Sequence, residues 1–221
     1  MEASPKVPLR RTRERELVAA TRSLFDERGM QHAPIEEIAK AAGIARGLIY
    51  RQFSSKEELF VLTVTDYLDE LAGELVAASD PDAGAPKQME ACAGAYAGFC
   101  LRYPAFLDAA LALMQRPAME LFEIVSDSVW LRLGTSMARC VDQLTRILEH
   151  GNSTGAFAVA DPDYTANLLW TQTLGAMHLA RIGVGIRRTP EGSPDLFRVD
   201  PERVVASCVT MTMAAISRRG D

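Results

Sequence analysis

The stretch from Pro34 to Lys56 does most to limit what this chain can fold into. Ile35, Ile38, Ala39 and Ala42 fall at helical spacing and stop at Gly43. After the step Gly43-Ile44-Ala45-Arg46, a second short segment carries Ile49, Tyr50 and Phe53. Isolated helices below about 12–15 residues are marginal in water, so both segments need a longer neighbour to hold them. Leu17, Val18, Thr21, Leu24, Phe25 and Arg28 recur on one face of such a neighbour, predicted from Arg10 to the stop at Gly29. Pro34 reads as a first helical residue, where the missing N–H costs nothing. Gly43 suits a left-handed turn that a side chain would resist. Ile38, Ile44, Ile49 and Phe53 are expected to form the core that sets the angle between the helices. Two short helices about a glycine turn, braced by a longer one, have the rhythm of a helix-turn-helix.

Charge divides the chain in the same place. Met1 to Lys56 holds 11 Lys and Arg against 7 Asp and Glu, a net +4. The remainder holds 13 against 22, a net −9, and the whole is −5. A basic head on an acidic body points to a polyanion partner for the head alone. Lys6, Arg10, Arg11 and Arg13 extend the basic run, as an arm over a groove or as a solvated face.

Past the head, helical periodicity continues. Ser55-Lys56-Glu57-Glu58 is a capping box opening a helix through Leu59, Leu62, Tyr67, Leu68, Leu71 and Leu75. Further helices are predicted over Lys87–Arg102, Ala105–Gln115 and Pro117–His150. Asp161-Pro162 and Asp200-Pro201 each pair an N-cap with an N1 proline, starting helices to about Ile186 and Ser217. Arg187 to Val199 reads as a loop, and no strand alternation shows. The predicted fold is all-α with about nine helices. Residues 1–55 are expected to form a helix-turn-helix head (1–9 a flexible arm), and 56–221 a larger helical domain.

Other classes find no support. The N-terminus has charges and prolines where a secretory signal would be apolar. The longest uncharged stretch, Tyr164 to Ala180, contains Asn167, Gln172 and His178, so no membrane span and no membrane partner is expected, and the location is cytoplasmic. Cys92, Cys100, Cys140 and Cys208 form no CxxC pair and have no histidine at ligand spacing, which reads as buried free thiols and no metal. His32, His150 and His178 are scattered, and no Gly-rich phosphate loop or nucleophile elbow occurs. Neither catalysis nor a cofactor is expected.

The run Ile35 to Leu59 contains I-A-x-x-A-G-h, then G-x-h-Y-x-x-F, then S-K-E-x-L. It resembles the N-terminal DNA-binding domain of TetR-family transcriptional regulators. The resemblance implies that the third helix enters the major groove. Ala45, Arg46, Leu48 and Arg51 then point to base edges, where an arginine can fork onto guanine or fall back on phosphate. By the same resemblance Tyr50 has a packed ring and a hydroxyl for phosphate, and Lys56 contacts phosphate at a helix start. Gln52 replaces a frequent histidine and keeps a donor without its titration. Ala33-Pro34 replaces a threonine pair, removing a helix cap.

For the body the resemblance implies a homodimer through the last two helices, about 162–186 and 201–217, and a cavity for a small-molecule effector. Val204, Val205, Val209, Met211, Met213 and Ile216 spread apolar surface around the last helix, which an intramolecular core or a dimer would bury. Tyr96, Phe99, Tyr103, Phe122, Trp130, Trp170, Met177 and His178 are the candidate ligand-binding residues, each alternatively plain core. The functional expectation is a dimeric regulator, a repressor released from a palindromic DNA operator by a hydrophobic or aromatic ligand. The alternative is the same build without an inducer, governed by a protein partner or by abundance.

Overall fold

A computed structural model describes residues 6–29, 34–115, 120 and 123–217, with side chains from Arg11 onward. Its described residues hold nine helices and one two-stranded sheet. The helices are α1 (Lys6–Arg28), α2 (Ile35–Ala41), α3 (Arg46–Gln52), α4 (Lys56–Ala78), α5 (Ala85–Arg102), α6 (Pro104–Met114), α7 (Asp127–Ser153), α8 (Pro162–Ile182) and α9 (Pro201–Ile216). Strands β1 (Val184–Arg188) and β2 (Pro194–Arg198) lie between α8 and α9. His32, Ala33 and Phe122 fall outside the described residues.

The chain forms two compact units. The first takes residues up to Asp69 and Asp108–Met137, the second Glu70–Leu107 and the residues from Ala138. In the first, α1 buries Leu17, Val18, Thr21, Leu24 and Phe25 on the predicted face. It begins at Lys6, so residues 6–9 are helical rather than a loose arm; Pro8 is tolerated because first-turn N–H groups lack intrahelical partners. A polar network ties α1 to α4. The Tyr67 hydroxyl donates to Asp26 at 2.6 Å, and Arg22 pairs with Asp66 at 2.8 Å. The Arg22 guanidinium sits 4.1 Å from the Tyr67 ring centroid. Burial, then the Asp26 carboxylate, pushes the Tyr67 phenol well above its ordinary pKa, so it stays a donor.

In the second unit α5 packs on α8 and α9. Tyr96 stacks on Trp170 with ring centroids 4.2 Å apart, and Phe99 meets Phe106 edge-on at 5.2 Å. All four cysteines are buried, and none is in a disulfide. Burial raises the Cys92 thiol to about 11, so it is no ready nucleophile. Both Asp-Pro starts are real caps: Asp161 accepts from the Tyr164 N–H at 3.0 Å and Asp200 from the Glu202 N–H at 3.1 Å.

Three boundaries differ from expectation. The long helix begins at Asp127, because the chain leaves helical geometry at Val125 and Ser126. Helix α8 stops at Ile182, where Gly183 takes a φ of 74° and its N–H caps the Leu179 carbonyl. The predicted loop that follows is an antiparallel hairpin pairing Val184 with Arg198 and Ile186 with Leu196. Among the described residues no single helix is long and apolar enough to cross a membrane.

Candidate nucleic-acid interface

The geometry of α3 starts at the turn before it. Gly43 has φ 65°; its N–H bonds the Lys40 carbonyl at 3.1 Å, and the Ile44 N–H reaches the Ala39 carbonyl at 2.9 Å. This pair of bonds is a Schellman motif, which ends α2 and aims the chain into α3. Pro34 is the N-cap of α2 rather than its first helical residue, and no side chain caps that end. Ile38, Ile49 and Phe53 are buried as expected. Ile44 is only half-buried, because the Schellman turn carries it to the rim.

With Ile49 and Phe53 inward, the opposite face of α3 is open. Ala45, Arg46, Gly47, Tyr50 and Arg51 are exposed, and Leu48 and Gln52 are half-buried. The Tyr50 ring is 49% exposed, so it is not packed away as expected. It lies 5.7 Å from the Arg46 guanidinium. Arg46 also pairs with Glu36 of α2 at 2.6 Å, with both side chains more than half exposed. Its hydrogen bond to Tyr50, then the Glu36 charge, raises the already high Arg46 pKa and keeps it cationic. Glu36 is a contact that the sequence reading missed; only the carboxylate placed across the turn from Arg46 hinted at it.

The capping box is present in altered form. The Ser55 Oγ accepts from the Glu58 N–H at 3.1 Å, but Glu58 reaches back to the Ser54 N–H at 2.8 Å. Its other oxygen accepts from the Ser126 N–H at 2.9 Å. Burial pushes the Glu58 carboxyl up, and the bonds from Ser126 and Ser54 outweigh it, leaving the group below its ordinary pKa. Glu58 thereby joins the start of α4 to the turn before α7. Lys56 sits exposed on the first turn of α4, next to this cap.

The described candidate ligand residues of the second unit do not line one cavity. Tyr96, Phe99, Trp170 and Met177 are buried in the second unit, and Tyr103 is half-buried with its hydroxyl donating to Glu70 at 2.9 Å. Trp130 belongs to the first unit. His178 is exposed on the outer face of α8, not in the interior. A space of ≈ 10 Å³ lined by Tyr96, Cys92, Leu169 and Thr173 is about the size of one water. An open recess of ≈ 200 Å³ lies among Cys100, Leu101, Leu107, Met177 and Arg181. Of the seven candidates among the described residues, only Tyr96 and Met177 line either space.

Comparison with known proteins places this head. Residues 17–62 match the family described as bacterial regulatory proteins, tetR family. The HTH-type transcriptional regulator BetI of Klebsiella pneumoniae is 32% identical over 92 residues, 41% of this chain. The HTH-type transcriptional repressor KstR2 of Rhodococcus jostii is 39% identical over 62 residues, 28% of this chain. The match spans about half of the first relative's length (47%) and 30% of the second's. Among solved structures, a tetR-family regulatory protein from Rhodococcus RHA1 superposes with TM-score 0.66 at 18% identity, covering 94% of this chain and 98% of that one. RolR, solved with the ligand resorcinol, gives TM-score 0.64 at 17% identity, covering 92% and 89%. At these identities the superpositions establish the fold. With the helix-turn-helix geometry, the matched head, residues 17–62, is that of the tetR family of bacterial regulatory proteins, and the whole chain has the fold of its solved members.

Proposed function

We propose that the chain is a dimeric, sequence-specific transcriptional regulator acting in the cytoplasm, a repressor released from a palindromic operator by a small hydrophobic or aromatic ligand. Residues 1–55 read DNA, and 56–221 dimerise and receive the effector. The observation that carries this reading is the outward face of α3, where Arg46, Tyr50 and Arg51 stand exposed over a helix held rigid by Ile49 and Phe53. Such a rod fits the major groove, with Lys56 and Gln52 on phosphates setting register. The relative named as a repressor supports the sign of regulation.

Dimerisation has its own support. Tyr164, Leu168, Thr171, Gly175, His178, Leu179 and Ile182 make an exposed, uncharged stripe along α8 at helical spacing. On α9 the buried side is Val204, Cys208, Thr212 and Ile216, leaving Ala206, Ser207, Thr210, Met211, Ala214 and Ala215 outward. Small outward residues allow close helix approach, and a two-fold pair of heads reads a two-fold site.

The ligand half of the reading draws on the apolar recess beside Met177 and on the resorcinol bound by RolR. The inducer-free alternative draws on the ≈ 10 Å³ interior space, which leaves no room for a ligand without rearrangement. Fluorescence anisotropy with DNA from upstream of the chain's own gene tests the DNA reading. Preference over random DNA at moderate salt supports it; equal affinity overturns it. Titrating small aromatic compounds into that complex separates the two readings, since an inducer must release the DNA.

A further inference from the structure

The hairpin between α8 and α9 has two unlike faces. On one, the Phe197 ring covers Gly185, where a Cβ would stand 2.4 Å from the ring, and Arg187 forks onto Asp195 at 2.8 and 2.7 Å. That face satisfies itself. The strand register puts Val184, Ile186 and Arg188 together with Arg198, Leu196 and Pro194 on the other. There Ile186 is 77% exposed and Leu196 65% exposed, directly opposite each other. Arg188 and Arg198 flank them without an ion pair among the described residues. A lone two-stranded hairpin is marginal in water, and one exposed cross-strand pair stabilises it only slightly.

We infer that this face of the hairpin is an arm that clasps a second copy of the chain, an inference resting on the dimer proposed above. Two observations select this occupant. First, the arm springs from Gly183 at the end of the α8 stripe and returns at Asp200 into α9, so it connects the two helices of the proposed interface directly. Val199, buried, fixes its root by donating its N–H to the Gly183 carbonyl at 2.9 Å. Secondly, the charges match. Residues 184–199 carry three arginines against two acids, whereas the rest of the second unit (70–107, 138–183 and 200–221) carries 8 basic against 12 acidic residues. An apolar centre rimmed by arginine, set on an acidic surface, has the composition of an interface anchor. In an isologous dimer each arm reaches the other subunit, so both act at once.

The test is sedimentation velocity of the full chain over a concentration series, with three variants. Ile186→Thr/Leu196→Thr puts a β-branched residue with good strand propensity at both positions and removes the apolar centre. Arg188→Glu/Arg198→Glu reverses the rim while leaving the fold's own contacts intact. Leu168→Glu strikes the α8 stripe. Both hairpin variants should dissociate at concentrations at least about tenfold higher than the parent, and the charge reversal should lose much of its effect in ~1 M salt. Parent-like association of both hairpin variants, with Leu168→Glu monomeric, overturns the arm and leaves the dimer standing. A parent chain that is monomeric throughout overturns the dimer and the arm together. Unchanged association with weakened DNA binding in the arginine variant assigns the face to DNA and also overturns it.

Discussion

At the residue scale, the proposed function gives two cations near one helix different tasks. Arg46 stands on the open face of α3, the face proposed to meet base edges, whereas Lys56 stands on the first turn of α4 beside backbone N–H groups. Arg46→Ala is expected to lower the ratio of operator to random-DNA affinity; Lys56→Ala should weaken all sequences alike and reduce the salt slope by about one. Anisotropy titrations at several salt concentrations check both, and equal loss of discrimination in the two variants would contradict the division. On the proposed function Glu36 is a competitor, because DNA would have to displace or share the Arg46 pair. An exposed pair of this kind is weak, so Glu36→Gln should tighten random-DNA binding by only about two- to fivefold while lowering discrimination. No change in either quantity would remove Glu36 from the account. The motif made the α3 residues legible in sequence. Glu36 was not, since which carboxylate meets Arg46 depends on the angle set by the Gly43 turn.

Elements show where patterns suffice and where they fail. Gly43 was readable as the turn residue, and its φ of 65° is what an L side chain resists. No atom lies within 4 Å of an added Cβ there, so Gly43→Ala should cost only the conformational penalty, about 1 kcal/mol by chemical denaturation. The Asp-Pro caps and the capping serine were readable because each signal is local. The start of α7 and the hairpin were not: Val184 to Arg188 is short and interrupted by glycine, so period-two alternation never emerges. The aromatic residues of the body gave no pocket for a related reason, since identity does not say whether a ring lines a space or fills it. Glu58 yields a pH prediction. Its folded pKa lies below the ordinary glutamate value, so its stabilisation is complete above about pH 4.3 and is lost as pH falls through the folded value. Glu58→Gln should lose about 1–3 kcal/mol at neutral pH and show a shallower decline in thermal stability below about pH 4. A variant whose acid limb matches the parent's would contradict that role.

For the whole molecule, the charge division and the helical count were legible, because composition and periodicity survive any arrangement of the helices. The exposed face of α8 was legible only in part, since the stripe of Leu168, Thr171, Gly175, Leu179 and Ile182 becomes evident once the inward face of the helix is known. The proposed function requires the α3 face to enter the wide groove of DNA, where guanine presents N7. Dimethyl sulfate footprinting on the DNA upstream of the gene reports that atom directly. Guanines should be protected in two half-sites about one helical turn apart, or a multiple of it, and Arg46→Ala should restore methylation at a symmetric pair of them. Bound DNA with every guanine N7 still reactive would contradict the account.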